Sequence, residues 1–203
     1  MLKDAETEKA ANELVEIGRL LSARGWVPAT AGNFSRRVDR DRIAITGSGL
    51  DKGELTPEDI RIIPLAGPVP SGVSAETPLH LSLYRRDPEI GAVLHTHSLP
   101  ATVVGRAHAG APEIVFRDYE LQKGLRGRTT HATPLHLPLF ANSQDMTALT
   151  AEVECRLSID DHGYVLAGHG LYAWGRDMQE ARRHLEALEF LLACELEQGR
   201  YRR

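Results

Sequence analysis

The chain has 203 residues, 42% of them hydrophobic and 26% charged, with a formal net charge of −4. This is the make-up of one ordinary globular domain over residues 1–203, long enough to bury a core. No basic stretch alternates with aromatics and no run of 18 apolar residues occurs, which excludes a basic nucleic-acid surface and a membrane span.

Charges at Lys3 and Asp4 leave no apolar leader, so a cytoplasmic protein is expected. Residues 5–24 carry Ala10, Leu14, Ile17 and Leu21 at spacings of 4, 3 and 4, which predicts an amphipathic helix stopped at Gly25. Residues 42–46 and 60–65 read as strands joined by a turn-rich stretch. Thr77-Pro78 starts a helix and Asp87-Pro88 stops it. A strand over 90–96, a helix over 98–107 and a short strand at 114–116 follow. A helix is predicted over 142–157, then two strands, 163–167 and 171–174, broken by Gly-His-Gly. The last helix starts at Asp177, with Glu180 three residues on and Met178, Ala181, Leu185, Leu188 and Leu192 on one face. The alternation predicts an α/β domain with a mixed sheet covered by helices. Cys155 and Cys194 have no ligand spacing and read as small core residues in a reducing compartment. The arginines at 200, 202 and 203 read as a solvated tail.

At 93–98 the sequence is VLHTHS. In a strand, His95 and His97 point to one face roughly 7 Å apart along the chain, so both imidazoles can reach one ion. The pair alone equally fits an edge strand bonded to water or backbone. A third histidine, His169, stands between Gly168 and Gly170 after an apolar run, where small neighbours let it be presented at a strand end. Three histidines and an open position make the donor set of a catalytic zinc site. His80, in the Thr77 helix, is either a fourth group near that ion or an ordinary satisfied histidine. His184 reads as solvated on the last helix.

Three loops, AGNFS at 31–35, ITGSG at 45–49 and PSGVSAE at 70–76, offer hydroxyls, amides and backbone N–H donors that can cradle an anion such as phosphate. Each is also a plain turn by composition. No P-loop or GxGxxG fingerprint marks a nucleotide. Two carboxylates are general acid/base candidates: Glu76, before the Thr77 helix, and Glu120, which alternatively forms an exposed pair with Lys123.

Taken together and in order, GNFS, ITGSG, SAETPLH, HTHS and GHGLYAWG resemble the class II aldolase/adducin family along nearly the whole chain. The resemblance implies a central mixed, mainly antiparallel sheet flanked by helices, one Zn2+ per subunit, a small phosphorylated ketose as substrate and a homotetramer with active sites between subunits. It implies His95, His97 and His169 as metal ligands, and Asn33, Ser48, Gly49 and Ser74 as phosphate contacts. SGLDKGEL at 48–55, YELQKG at 119–124, PLFANSQDM at 138–146 and the run from 168 to 186 resemble a dehydratase branch acting on a methylthio-substituted ketose phosphate. In that branch the acid/base glutamate falls on Glu120, whereas aldolase members use the one at Glu76; this chain keeps both. Adducin-like binding modules lack the metal histidines, so the intact set favours an enzyme.

Overall fold

The structure, a computed structural model, describes residues 4–201. Lys3, Arg202 and Arg203 lie outside them; Arg200 is exposed. The strands in chain order are β1 (Asn33–Arg37), β2 (Arg42–Thr46), β3 (Ile60–Pro64), β4 (Ala92–Thr96), β5 (Glu113–Phe116), β6 (Leu135–Phe140), β7 (Gly163–Leu166) and β8 (Gly170–Gly175). They form one sheet in the order β3-β2-β1-β4-β8-β7-β6-β5. Among the described residues only β6 and β7 pair in parallel, so the sheet is mixed and mainly antiparallel, as expected.

The helices are α1 (Ala5–Ala23), α2 (Thr77–Arg86), α3 (Leu99–Ala107), α4 (Met146–Arg156) and α5 (Met178–Tyr201). Side chains alternate across a strand, and each face of the sheet has its own core. Phe34, Leu94, Leu171 and Ala173 pack with α1, α3 and α5. Val93, Tyr172 and Trp174 pack with α2 and α4. Side-chain caps close three helix starts: Asp4 accepts from Thr7, Ser98 from Ala101 and Asp177, the expected cap, from Glu180. Among the described residues no helix is long and apolar enough to cross a membrane.

Two strands escape the sequence reading. AGNFS, read as a loop, supplies the first residues of β1, because Asn33 and Ser35 are buried polar side chains that bond to α2 and its approach instead of to solvent. β6 carries Pro138, which normally argues against an interior strand. It is tolerated because pairing with β7 begins only at Leu139.

Three further expectations are corrected. His184 is fully buried, since it shares the α5 face of Ala181, Leu185 and Leu188. Its Nδ1–H donates to the Trp174 carbonyl at 2.7 Å and its Nε2 accepts from Arg126 N at 3.1 Å, so no polar group is stranded. Cys155 is exposed and Cys194 half-buried. Cys155 follows Val153, the buried anchor of α4, by two residues and therefore turns away from the core.

Candidate metal centre

β4 sits between β1 and β8, and its register sets a row of side chains across the α2 face: Asn33 opposite His95, His95 opposite Tyr172, and Tyr172 opposite Tyr164. Tyr172 stacks on the His95 ring at 3.9 Å between centroids and 15° between planes. Stacking fixes the ring plane, and the His95 Nδ1–H bonds to the Leu171 carbonyl at 3.1 Å, which leaves Nε2 bare.

His97 follows two residues on, at the strand end, where its N–H bonds to the Trp26 carbonyl at 2.8 Å. His169 arrives from the β7–β8 turn. Gly168 adopts φ +69°, a left-handed conformation that favours glycine. Gly170 passes so close to β4 that a Cβ there would lie 1.9 Å from the Thr96 carbonyl oxygen. The two glycines thus do separate jobs, one turning the chain and one admitting the strand, and together they bring His169 onto the HTH pair. Its Nδ1–H donates to Asn142 Oδ1 at 3.1 Å, again leaving Nε2 bare.

The three Nε2 atoms form a triangle with edges of 2.8, 3.1 and 3.4 Å. A tetrahedral ion with bonds of 2.0–2.1 Å has ligand–ligand edges of about 3.3 Å. The triangle is therefore the size of one face of such a site. The bare Nε2 lone pairs of His95 and His169 otherwise face each other, an arrangement that a cation between them relieves. Glu76 stands at the fourth corner, with Oε1 3.0 Å from His169 Nε2 and Oε2 3.5 Å from His95 Nε2. These four residues could hold a metal ion, all donor atoms lying within 4.8 Å of one another.

Electrostatics agree with that use. Burial holds His95 well below its ordinary value, and burial followed by the neighbouring His169 ring brings His97 down to about 4. Both are neutral, as metal ligands must be. Burial alone would raise the Glu76 carboxyl, but positive charge placed at His95 and His169, together with the Asn33 amide N–H, outweighs it and holds the group well below the usual carboxylate range.

On the opposite face of β4, Thr96 and Ser98 alternate with the two histidines. Thr96 Oγ1 donates to Glu189 Oε1 at 2.6 Å and Ser98 Oγ to Glu189 Oε2 at 2.5 Å. Glu189 belongs to α5 and is 2% exposed; burial pushes its carboxyl up to about 7. This carboxyl ties the end of β4 to the helix behind it.

Beside the centre lies a cleft of about 180 Å³ lined by Asn33, Ser48, Gly49, Ser74, Glu76 and His97. All four expected phosphate contacts therefore meet in one place, next to the histidines. The cleft's floor also contains Lys52, which the sequence reading passed over. Its side chain is 1% exposed, and Nζ donates to the carbonyls of Thr30 at 2.8 Å and Leu50 at 2.6 Å. Lys52 lies within SGLDKGEL, and a lysine inside a Gly/Ser turn was the signal available. Asn142 was likewise missed, though it lies within PLFANSQDM.

Two candidates are placed apart. His80 is not at the metal corner; it is buried and satisfied by Ser35 and Asn33. Glu120 opens a 3-10 turn, Glu120–Gly124, is exposed, and pairs with Lys123 and with His131 at 3.0 Å. A single chain does not bring it to the histidines. Among the described residues, the larger cleft near Arg126, Arg128 and Asp161, about 720 Å³, contains no comparable donor cluster, so size alone does not identify the site.

Comparison with known proteins places the chain in a family. The family model described as Class II Aldolase and Adducin N-terminal domain matches residues 12–196. A methylthioribulose-1-phosphate dehydratase of Xanthomonas campestris pv. campestris (strain 8004) is 53% identical over 197 residues, covering 95% of this chain and 91% of that protein. A protein of the same name from Xylella fastidiosa (strain 9a5c) is 51% identical over 197 residues, covering 92% of this chain and 90% of its own. Among solved structures, L-fuculose-1-phosphate aldolase from Thermus thermophilus superposes with a TM-score of 0.76 at 29% identity, covering 94% of this chain and 95% of that one. The chain belongs to the class II aldolase and adducin N-terminal domain family.

Proposed function

We propose that the protein is a zinc-dependent hydro-lyase that converts 5-methylthioribulose 1-phosphate to 2,3-diketo-5-methylthiopentyl 1-phosphate and water, within methionine salvage in the cytoplasm. One observation carries the reading: three converging histidine Nε2 atoms and a carboxylate border a small cleft lined by hydroxyls, backbone amides and a buried lysine. The names of the 53% and 51% identical relatives give the substrate.

His95, His97 and His169 would hold the ion, with Glu76 at the fourth corner only until substrate takes that position and frees the carboxylate. The chemistry supplied by a bound Zn2+ is Lewis-acid polarisation of the C2 carbonyl, which acidifies the adjacent C3–H. Ser48, Gly49 and Ser74, assisted by Lys52, bind the C1 phosphate and set the sugar's orientation. Asn33 borders the same cleft. Glu76 accepts the C3 proton. Loss of hydroxide from C4 creates the C3–C4 enol, and the leaving oxygen takes a proton from the Glu120 carboxyl to depart as water. Ketonisation then yields the 2,3-diketone. The exposed position of Glu120, beside Lys123 and His131, favours its delivery by a neighbouring copy in a homotetramer.

The test is product identity. Purified protein, Zn2+ and the ketose phosphate should give the diketone phosphate, and Glu120→Gln should abolish it. Dihydroxyacetone phosphate and a methylthio aldehyde would instead assign the site to aldol cleavage across C3–C4. No turnover at all would refute the enzyme reading.

A further inference from the structure

Behind Asn33 stands a series of buried groups whose hydrogens can each be assigned. Asn33 Nδ2 donates to Glu76 Oε2 at 2.7 Å. A carboxylate only accepts, so this contact fixes the amide's orientation and turns its oxygen to His80 Nε2, 2.5 Å away. The amide oxygen also only accepts. His80 therefore carries its proton on Nε2 and presents Nδ1 as a bare acceptor.

Ser35 Oγ lies 2.7 Å from that Nδ1 and 2.9 Å from the Tyr84 hydroxyl. The single serine hydrogen goes to the imidazole, so Tyr84 donates to Ser35. The series runs one way: Tyr84 to Ser35 to His80 to Asn33 to Glu76. Tyr84, Ser35, His80 and Asn33 are all 3% exposed or less, so water cannot replace a missing partner cheaply. Burial brings His80 down to about 4, and its ring is neutral around neutral pH.

We propose that His80 is a positioning residue for Glu76, its Nε2–H locking the Asn33 amide so that the amide aims the Glu76 carboxylate at the His95–His97–His169 centre. Asn33 thereby serves Glu76, its second N–H facing Ser74 Oγ at 3.4 Å. Without the imidazole, the amide can turn its oxygen toward the carboxylate and release it. The kinetic consequence rests on the dehydratase reading; the orientation does not.

Two substitutions separate positioning from folding. His80→Gln keeps an N–H close to the Nε2 position, whereas His80→Asn is too short to reach Asn33. His80→Asn should lower kcat at saturating metal by about 10–100-fold, leave KM within about two-fold and weaken metal affinity by no more than about 10–100-fold, and His80→Gln should recover most of the loss. An unchanged kcat in His80→Asn, or equal losses in both variants, would overturn the proposal. The wild-type protein gives a check free of any mutation. Imidazole 15N shifts should report a neutral Nε2–H tautomer for His80, and an Nδ1–H tautomer would overturn the assignment. Because that tautomer is read without substrate, failure of the dehydratase assay alone refutes the reaction and not the role of His80.

Discussion

Replacing Glu189 by glutamine should flatten part of the pH dependence of stability. In the folded chain this carboxyl titrates near 7, against the ordinary value of 4.5, because burial disfavours its charge. Below 4.5 it is protonated in both states and costs nothing. As pH rises through the window from 4.5 to about 7, the unfolded chain ionises first, so stability falls, and above the folded value the deficit is constant. The gap corresponds to a deficit of about 3 kcal/mol, of which about 2–3 kcal/mol develops between about pH 5 and about pH 8. Glutamine has nearly the same shape and does not titrate there. Urea unfolding of both proteins across that range should therefore show the stability of wild type relative to Glu189→Gln declining by that amount, other groups cancelling in the difference. Parallel profiles would refute the reasoning, since they would mean that Thr96 and Ser98 keep Glu189 ionised despite its burial.

Asn142→Ala removes the acceptor for the His169 Nδ1–H and should weaken metal affinity by about 10–100-fold without unfolding the protein, read by chelator competition. Lys52→Met should raise KM by about 10–100-fold with a smaller change in kcat, because a charged hydrogen bond to phosphate contributes about 1.5–3 kcal/mol; an unchanged KM would leave Lys52 only a tie between Thr30 and Leu50. Gly170→Ala forces a methyl to 1.9 Å from the Thr96 carbonyl and should cost about 3 kcal/mol or more in urea unfolding. Gly199→Ala, which meets nothing within 4 Å in α5, should be neutral or gain about 0.5–1 kcal/mol.

What could be read from the sequence followed from periodicity and from residues whose chemistry is local. The period of α1 and α5 and the cap at Asp177 predict elements that fold as expected, because core burial and capping there act in the same direction. The HTH spacing places His95 and His97 on one face, since a strand's two-residue repeat needs no tertiary knowledge, whereas the approach of His169 depends on the β7–β8 turn and its packing against β4. The losses come where a polar side chain is buried by partners distant in sequence. Asn33 and Ser35 look like turn residues until α2 supplies His80 and Tyr84. Lys52 looks solvated until the carbonyls of Thr30 and Leu50 enclose it, and His184 until Trp174 and Arg126 do. Pro138 hides β6 because the residues at which pairing with β7 begins cannot be seen from the strand itself.

The central claim, one ion held by His95, His97, His169 and Glu76, is tested most directly by X-ray absorption spectroscopy on the zinc-loaded protein. It should give one zinc per chain with three imidazole nitrogens and one oxygen at about 2.0–2.2 Å. A sulfur scatterer, fewer than three imidazoles, or an unchanged spectrum in His97→Ala would contradict it.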